Sequence, residues 1–326
     1  MTSTSSPRET TLSLRGIDLF VREQGQGHPL VLVNGLGGNL EMWGKLEERL
    51  AGCARTITFD APGTGRSSTP LRFRSMQELS ALVWEALDLL GHGRVDVLGY
   101  SLGGVLSQQL AHDHPERVRR MALAATGCGW GSMPGTLPAL SLMAMPLRYY
   151  SRRFYEQTNR LLSQADSGGN AGERLRQQAE ARLKHPPSLL GYTYQLWAGA
   201  LFSSLRWLPT VPVPTLVLTG DDDQLVPPAN SVQLARLLPE SRLQFVPGEG
   251  HLFLFDPESA AADLLVDYFS ARSLRSSRAW KTGEIVDDDA TVSAAFRASY
   301  GSQPFRAVSS IFRWLAGDAS YLSLAA

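Results

Sequence analysis

Short apolar runs alternate with amphipathic stretches along most of this 326-residue chain. That rhythm constrains the fold more than any other feature. Residues 30–33 read Leu-Val-Leu-Val, a continuous apolar run of the kind found in strands covered on both faces. Similar runs recur at 55–59, 95–98, 121–124, 215–218 and 243–246, preceded by two short strand-like segments at 11–14 and 17–21 with Gly16 at the turn. Helical apolar spacing falls between them, at 40–50, 76–90, 102–112, 232–238 and 257–268. Repeated strand–helix alternation predicts an α/β fold, a mostly parallel sheet with helices on both faces.

One interval interrupts the alternation. Residues 127–208 contain no strand pattern and offer helical candidates at 149–162, 172–183 and 189–205, split by Ser167-Gly-Gly and His185-Pro-Pro. This predicts a helical cap inserted between two strands. The core is then 1–126 with 209–274, and residues 275–326 form a C-terminal extension. The cap holds 10 of the 28 aromatic residues, enough to wall an apolar pocket, and Trp130, Tyr194 and Trp197 are candidate lining residues. Packing the insertion onto the core is the alternative use of each. In the extension, Phe305, Val308, Phe312 and Leu315 share a helical spacing, which suits docking on the protein's own surface or, less simply, on a lipidic or polymeric one.

Charge and cysteine content exclude several function classes. The 31 Lys+Arg balance 31 Asp+Glu, so no net field draws nucleic acid or an anionic membrane. Two cysteines, Cys53 and Cys128, are too few for a disulfide framework or a cysteine-built metal site. The polar opening residues carry an acid where a signal peptide needs an apolar run. The longest apolar stretch, at 138–147, is too short to span a bilayer. These features predict a cytoplasmic protein with no transmembrane segment and no nucleic-acid partner.

The chemistry concentrates in Val95-Asp-Val-Leu-Gly-Tyr-Ser-Leu-Gly-Gly104. An apolar strand runs into Gly99-x-Ser101-x-Gly103 and a helix follows at once, the context of a nucleophile elbow. A serine hydroxyl needs a base to take its proton, and in this architecture the acid and then the histidine follow the serine in sequence. Of six histidines, only His251 lies beyond the 215–218 strand, in a loop just past 243–246. His251 is therefore the predicted general base. Three consecutive acids, Asp221, Asp222 and Asp223, close the strand at 215–220; the turn Gly220-x-x-Asp223 followed by Leu225-Val-Pro227 favours Asp223, with Asp222 next. The acid would hold the histidine tautomer without itself taking a proton. The backbone amides of Leu102, directly after the serine, and Leu36, in the glycine-rich Asn34–Asn39 loop, are the candidate oxyanion donors. Each such donor is worth about 3–4 kcal/mol in the transition state. Tyr100, beside the serine, is a candidate pocket residue. Asp60, in Asp60-Ala-Pro-Gly-Thr-Gly-Arg66, is assigned a structural role in its turn. Gly35-x-Gly37-Gly38 lacks dinucleotide-binding spacing, and no cluster has metal-ligand spacing, so no cofactor is expected.

With these motifs the chain resembles the α/β-hydrolase superfamily from about residue 11 to 274. More narrowly it resembles the intracellular medium-chain-length poly(3-hydroxyalkanoate) depolymerases. The matching stretches include Asn34-Gly-Leu-Gly-Gly-Asn-Leu-Glu41, Phe59-Asp-Ala-Pro-Gly-Thr-Gly-Arg-Ser-Ser-Thr-Pro70, Ala111-His-Asp-His-Pro-Glu-Arg117, Tyr194-Gln-Leu-Trp-Ala-Gly199 and Gly250-His-Leu-Phe-Leu254. The elbow departs from that family's usual form, which has Val before and Trp after the serine. The resemblance implies hydrolysis of ester bonds in a storage polyester at the surface of cytoplasmic granules, with Ser101, Asp223 and His251 on the triad positions. A general carboxylesterase, lipase or lactonase would use the same triad. A non-catalytic granule- or partner-binding protein would keep the fold alone.

Overall fold

A computed structural model of the chain describes residues 6–162, 171–256 and 258–300. Its centre is an eight-stranded sheet: β1 (Arg8–Leu14), β2 (Ile17–Gly25), β3 (His28–Val33), β4 (Ala54–Phe59), β5 (Val95–Tyr100), β6 (Val118–Ala124), β7 (Thr215–Gly220) and β8 (Ser241–Val246). Every run read as strand-like in the sequence falls in a strand. The order is β1-β2-β4-β3-β5-β6-β7-β8. β1 pairs antiparallel with β2, β2 antiparallel with β4, and the remaining neighbours are parallel.

The central strands are mostly apolar because both faces are covered, and buried polar exceptions such as Thr56 and Asp96 are hydrogen-bonded. Val31 and Val33 enter one core layer and Leu30 and Leu32 the other, as the two-residue period of a strand requires. The first layer packs against α2 (Met76–Leu89), α3 (Leu102–Asp113) and α8 (Ala229–Leu237); the second packs against α1 (Gly44–Leu50), α9 (Ala260–Ser270) and α10 (Arg278–Thr282). Helix α2 starts on a capping box, with the Ser75 hydroxyl accepting from the Glu78 amide and the Glu78 carboxylate accepting from the Ser75 amide.

Between β6 and β7 lie α4 (Leu137–Ala144), α5 (Arg152–Leu162), α6 (Ala171–Lys184) and α7 (Leu189–Ala200). The expected helix over 189–205 stops at Ala200. The chain then turns back so that Ser203 bridges Gly129 and the Trp130 amide donates to the Phe202 carbonyl at 2.8 Å. Helix α4, unmarked by amphipathic spacing, forms from the apolar 138–147 stretch. Described parts of the insertion reach the loops at the C-terminal ends of the strands, through Tyr149 and Gln195 on the 34–39 loop and through the Ser188 amide on the Gly63 carbonyl at 2.8 Å.

The extension packs further than expected. Residues 275–300 stay on the body: α10 and α11 (Asp289–Tyr300) lie against β8 and α8. Glu284 bridges Leu243, Val292 is buried, and the Trp280 ring stacks on Tyr268 at 5.9 Å. The apolar face proposed for 305–315 lies outside the described residues. Because Trp280 fills the second core layer beside Tyr268 and under the Arg242 guanidinium, Trp280→Ala should destabilise the protein by about 3–5 kcal/mol, measured by chemical denaturation.

A buried acid gives the fold a pH dependence. Glu47 on α1 is 1% exposed and accepts a hydrogen bond from Thr56 Oγ1 at 2.9 Å. Burial pushes its carboxyl up to about 7. The folded state therefore holds this proton more tightly than the unfolded chain, and stability falls as pH rises from about 4.5 through about 7. Glu47→Gln keeps the acceptor and removes the charge. It should stabilise the protein by about 3 kcal/mol at pH 8 and by little at pH 4, read as the difference in denaturation midpoints.

Candidate active site

The chain runs outward from β3 to β4 and then returns to place β5 beside β3. That reversal opens a crevice at the C-terminal ends of these two strands. The loop after β3 and the turn after β5 both end there. Ser101 occupies the turn with φ 54° and ψ −122°, a region non-glycine residues avoid. Its amide donates to the Ala124 carbonyl at 2.9 Å, and its carbonyl accepts from Thr126 Oγ1 at 2.7 Å. The turn is possible because its neighbours lack side chains. A Cβ on Gly103 would stand 2.0 Å from the Val33 carbonyl oxygen, and one on Gly99 would stand 2.3 Å from Ser107 Oγ.

Two later strand ends supply the partners. His251 lies beyond β8 with Nε2 3.1 Å from Ser101 Oγ, and Asp223 lies beyond β7 with Oδ2 2.8 Å from His251 Nδ1. An imidazole facing a carboxylate through Nδ1 carries its proton there, which leaves the Nε2 lone pair for the serine hydroxyl. Asp223 is itself held: its Oδ1 accepts from the amides of Leu225 at 2.9 Å and Val226 at 2.8 Å. The structure separates the three consecutive acids by their partners. Asp221 accepts from the Gly248 amide and Asp222 from the Gln224 side chain, so only Asp223 reaches the histidine. Both His251 and Asp223 are buried.

Leu36 and Leu102 line the space beside Ser101. Among the described residues neither backbone amide donates a hydrogen bond. The Leu36 loop is shaped from within and from above. Asn34 Oδ1 accepts from the Gly35 amide and its Nδ2 donates to the Asn39 carbonyl, both at 2.8 Å. From the insertion, Gln195 Oε1 accepts from the Gly37 amide at 2.9 Å, and the Tyr149 hydroxyl donates to the Leu36 carbonyl. Gln195 carried no signal in the sequence, because a glutamine in a helix usually faces solvent. Asp60 takes its structural place, accepting from the Leu40 and Arg66 amides at 2.8 Å each.

The aromatic candidates sort differently. Tyr100 packs on the His251 ring at 5.2 Å and donates its hydroxyl to the His251 carbonyl at 3.1 Å. It supports the histidine loop from within the core. A cavity of about 360 Å³ opens on the other side of Ser101, and α7 presents Leu196 and Gly199 to it. Tyr194 and Trp197 are not among its walls. Helical geometry turns them to other faces, Tyr194 against Phe73 at 6.2 Å and Trp197 largely to solvent. Trp130 is likewise outside the cavity wall, its indole N–H donating to the Ala200 carbonyl. The lining role expected of these three residues passes to aliphatic ones, including Met133, Leu140, Met143 and Leu225. Among the described residues, no group of three or more His, Cys, Asp or Glu side chains could hold a metal ion, and no helix is long and apolar enough to cross a membrane.

Comparison with known proteins agrees with this architecture. The chain is 37% identical over 275 residues to the poly(3-hydroxyalkanoate) depolymerase of Ectopseudomonas oleovorans, covering 82% of this chain and 94% of that protein. It is 28% identical over 268 residues to the 2-hydroxy-6-oxo-2,4-heptadienoate hydrolase of Pseudomonas putida, covering 78% of this chain and 94% of that one. The enol-lactonase from Burkholderia xenovorans superposes with a TM-score of 0.70 at 22% identity, covering 80% of this chain and all of that one, and so shares the fold. The alpha/beta hydrolase fold family matches residues 28–167 and 139–258. Its relatives hydrolyse their substrates and its fold is theirs: the chain belongs to the α/β-hydrolase family and is an ester hydrolase.

Proposed function

We propose that this hydrolase cleaves the ester bonds of a poly(3-hydroxyalkanoate) storage polyester, using Ser101 as nucleophile, His251 as general base and Asp223 as the acid that orients it. The observation that carries the assignment is the hydrogen-bonded line from Asp223 through His251 to Ser101, ending on a cavity with no charged side chain among its described walls. Ser101 Oγ attacks the ester carbonyl while His251 Nε2 takes its proton. The tetrahedral oxyanion is met by the amides of Leu36 and Leu102. Collapse breaks the carbon–oxygen bond, and His251 returns the proton to the leaving alcohol. Water, deprotonated by the same nitrogen, then releases the acid from the acyl-enzyme. The aliphatic walls suit the alkyl side chains of medium-chain hydroxyacyl units.

The outer face of the insertion supports a polymeric substrate at a cytoplasmic granule. Among the described residues, nine of the twelve exposed large hydrophobic ones lie within 127–208, among them Leu137, Leu147, Leu189, Trp197 and Leu201. Apolar exposure gathered on one part of a molecule marks an interaction surface. The insertion is thus a part favoured for contact with the polyester.

Two measurements test this reading. Acid release from medium-chain polyhydroxyalkanoate granules should match hydrolysis of p-nitrophenyl octanoate in requiring Ser101, and Ser101→Ala should abolish both. Cleavage of the soluble ester alone by the wild type would refute the polyester assignment and leave a general esterase. Asp223→Asn, which removes the charge that fixes the His251 tautomer, should lower kcat on p-nitrophenyl octanoate by a factor on the order of 10⁴. A fall of less than tenfold would place the orienting acid elsewhere.

A further inference from the structure

Two buried guanidinium groups of the insertion have no ion-pair partner among the described residues. Arg148, in the 3-10 turn before α5, is 6% exposed, and Arg182, on α6, is 4% exposed. No carboxylate among the described residues forms an ion pair with either, and the Nε atom of each is buried without a hydrogen-bond partner. They rest instead on phenol rings: Arg148 and Arg182 both at 5.0 Å from Tyr149, and Arg182 at 5.1 Å from Tyr155. Arg148 Nη2 also donates to the Tyr149 hydroxyl at 3.3 Å. Ring faces offset only part of the penalty of burying a cation. By contrast, the partly buried Arg119 is held by both oxygens of Asp96.

Both arginines line a narrow chamber whose wall also includes Ser101 and His251. The larger uncharged cavity shares Ser101 with it but does not include His251 or any ionisable side chain. Ser101 thus separates an apolar side from a cationic side, and the histidine belongs to the cationic one. In ester cleavage the leaving alcohol must sit against the group that protonates it. The acyl portion therefore belongs in the apolar cavity and the leaving alcohol beside the arginines.

We propose that Arg148 and Arg182 bind the free carboxylate of the leaving group, so that the enzyme cuts hydroxyacyl chains at their carboxylate end, one unit at a time. This rests on the polyester reading above. In a 3-hydroxyacyl chain the alcohol oxygen is on C3 and the carboxylate is C1 of the same unit, so the oxygen that His251 protonates and the carboxylate are only a few bonds apart. Ser101 Oγ bonds to the carbonyl carbon of the penultimate unit, the bond from that carbon to the terminal unit's oxygen breaks, and His251 transfers the serine proton to that oxygen. The products are an acyl-enzyme and a 3-hydroxyacid whose carboxylate stays paired with the guanidinium forks, which match its geometry. Arg182 also borders an outer cavity of about 190 Å³ between the Glu41–Glu48 segment and α6.

The test compares the 3-hydroxyoctanoate dimer as free acid with its methyl ester. Wild type should cleave the free acid with kcat/KM higher by about tenfold or more, the scale of a lost charge-assisted contact. Arg148→Met and Arg182→Met should bring that ratio to near one. Because a buried arginine variant can fail to fold, a second measurement uses wild type alone. With p-nitrophenyl octanoate as reporter, 3-hydroxyoctanoate should inhibit competitively at concentrations about tenfold below those of methyl 3-hydroxyoctanoate. Equal cleavage of the two dimers, or equal inhibition by the two probes, overturns the arginine site while leaving the esterase intact. Cleavage of neither dimer overturns the polyester reading, and the inhibitor pair then decides the arginine site by itself.

Discussion

The contact on which the site depends is the approach of the first turn of α3 to the backbone of β3. Gly103 lies so close to the Val33 carbonyl that no side chain fits between them. This contact lets the chain leave β5 and enter a helix within one residue, and that residue is Ser101 in a strained conformation. Strain of this kind persists only where surrounding structure over-determines it. Here the determinants are the Ala124 carbonyl, the Thr126 hydroxyl and the two flanking glycines. The hydroxyl is thereby lifted above the strand ends at the point where the sheet order reverses.

The rest of the site follows from the parallel sheet. Parallel strands send all their C-terminal loops to one side, so loops after β3, β5, β7 and β8 meet although up to 150 residues separate His251 from Ser101. The insertion completes the enclosure. It fixes the Leu36 loop through Gln195 and Tyr149 and supplies both the aliphatic wall and the two arginines. One element thus combines a greasy exterior with a charge buried against the reacting centre.

Much of this was legible before any coordinates. Apolar runs mark strands because a strand buried on both faces carries few polar side chains, and those it does carry, such as Asp96, need a partner. Gly-x-Ser-x-Gly between a strand and a helix marks the elbow because the steric demand is local. His251 could be singled out by position alone. The three consecutive acids could only be ranked, since adjacent residues differ in direction by the geometry of a turn, and that geometry is set by the Leu225 and Val226 amides that grip Asp223. The aromatic residues of the insertion misled for a related reason. Composition reports that rings are present but not which way a helix turns, and α7 faces Leu196 rather than Trp197 toward the serine.

The division between the two levels is therefore one of range. The sequence by itself determined the α/β class, the strand-to-helix turn at Ser101 and the identity of its histidine, because each rests on spacing or steric demands within a few residues. Only the tertiary structure decided which of three acids meets that histidine, that residues 275–300 pack on the core, and that two arginines with no ion-pair partner among the described residues lie beside the reacting serine. Those outcomes depend on what surrounds a side chain, and burial and partnership across 100 residues or more leave no mark on local pattern.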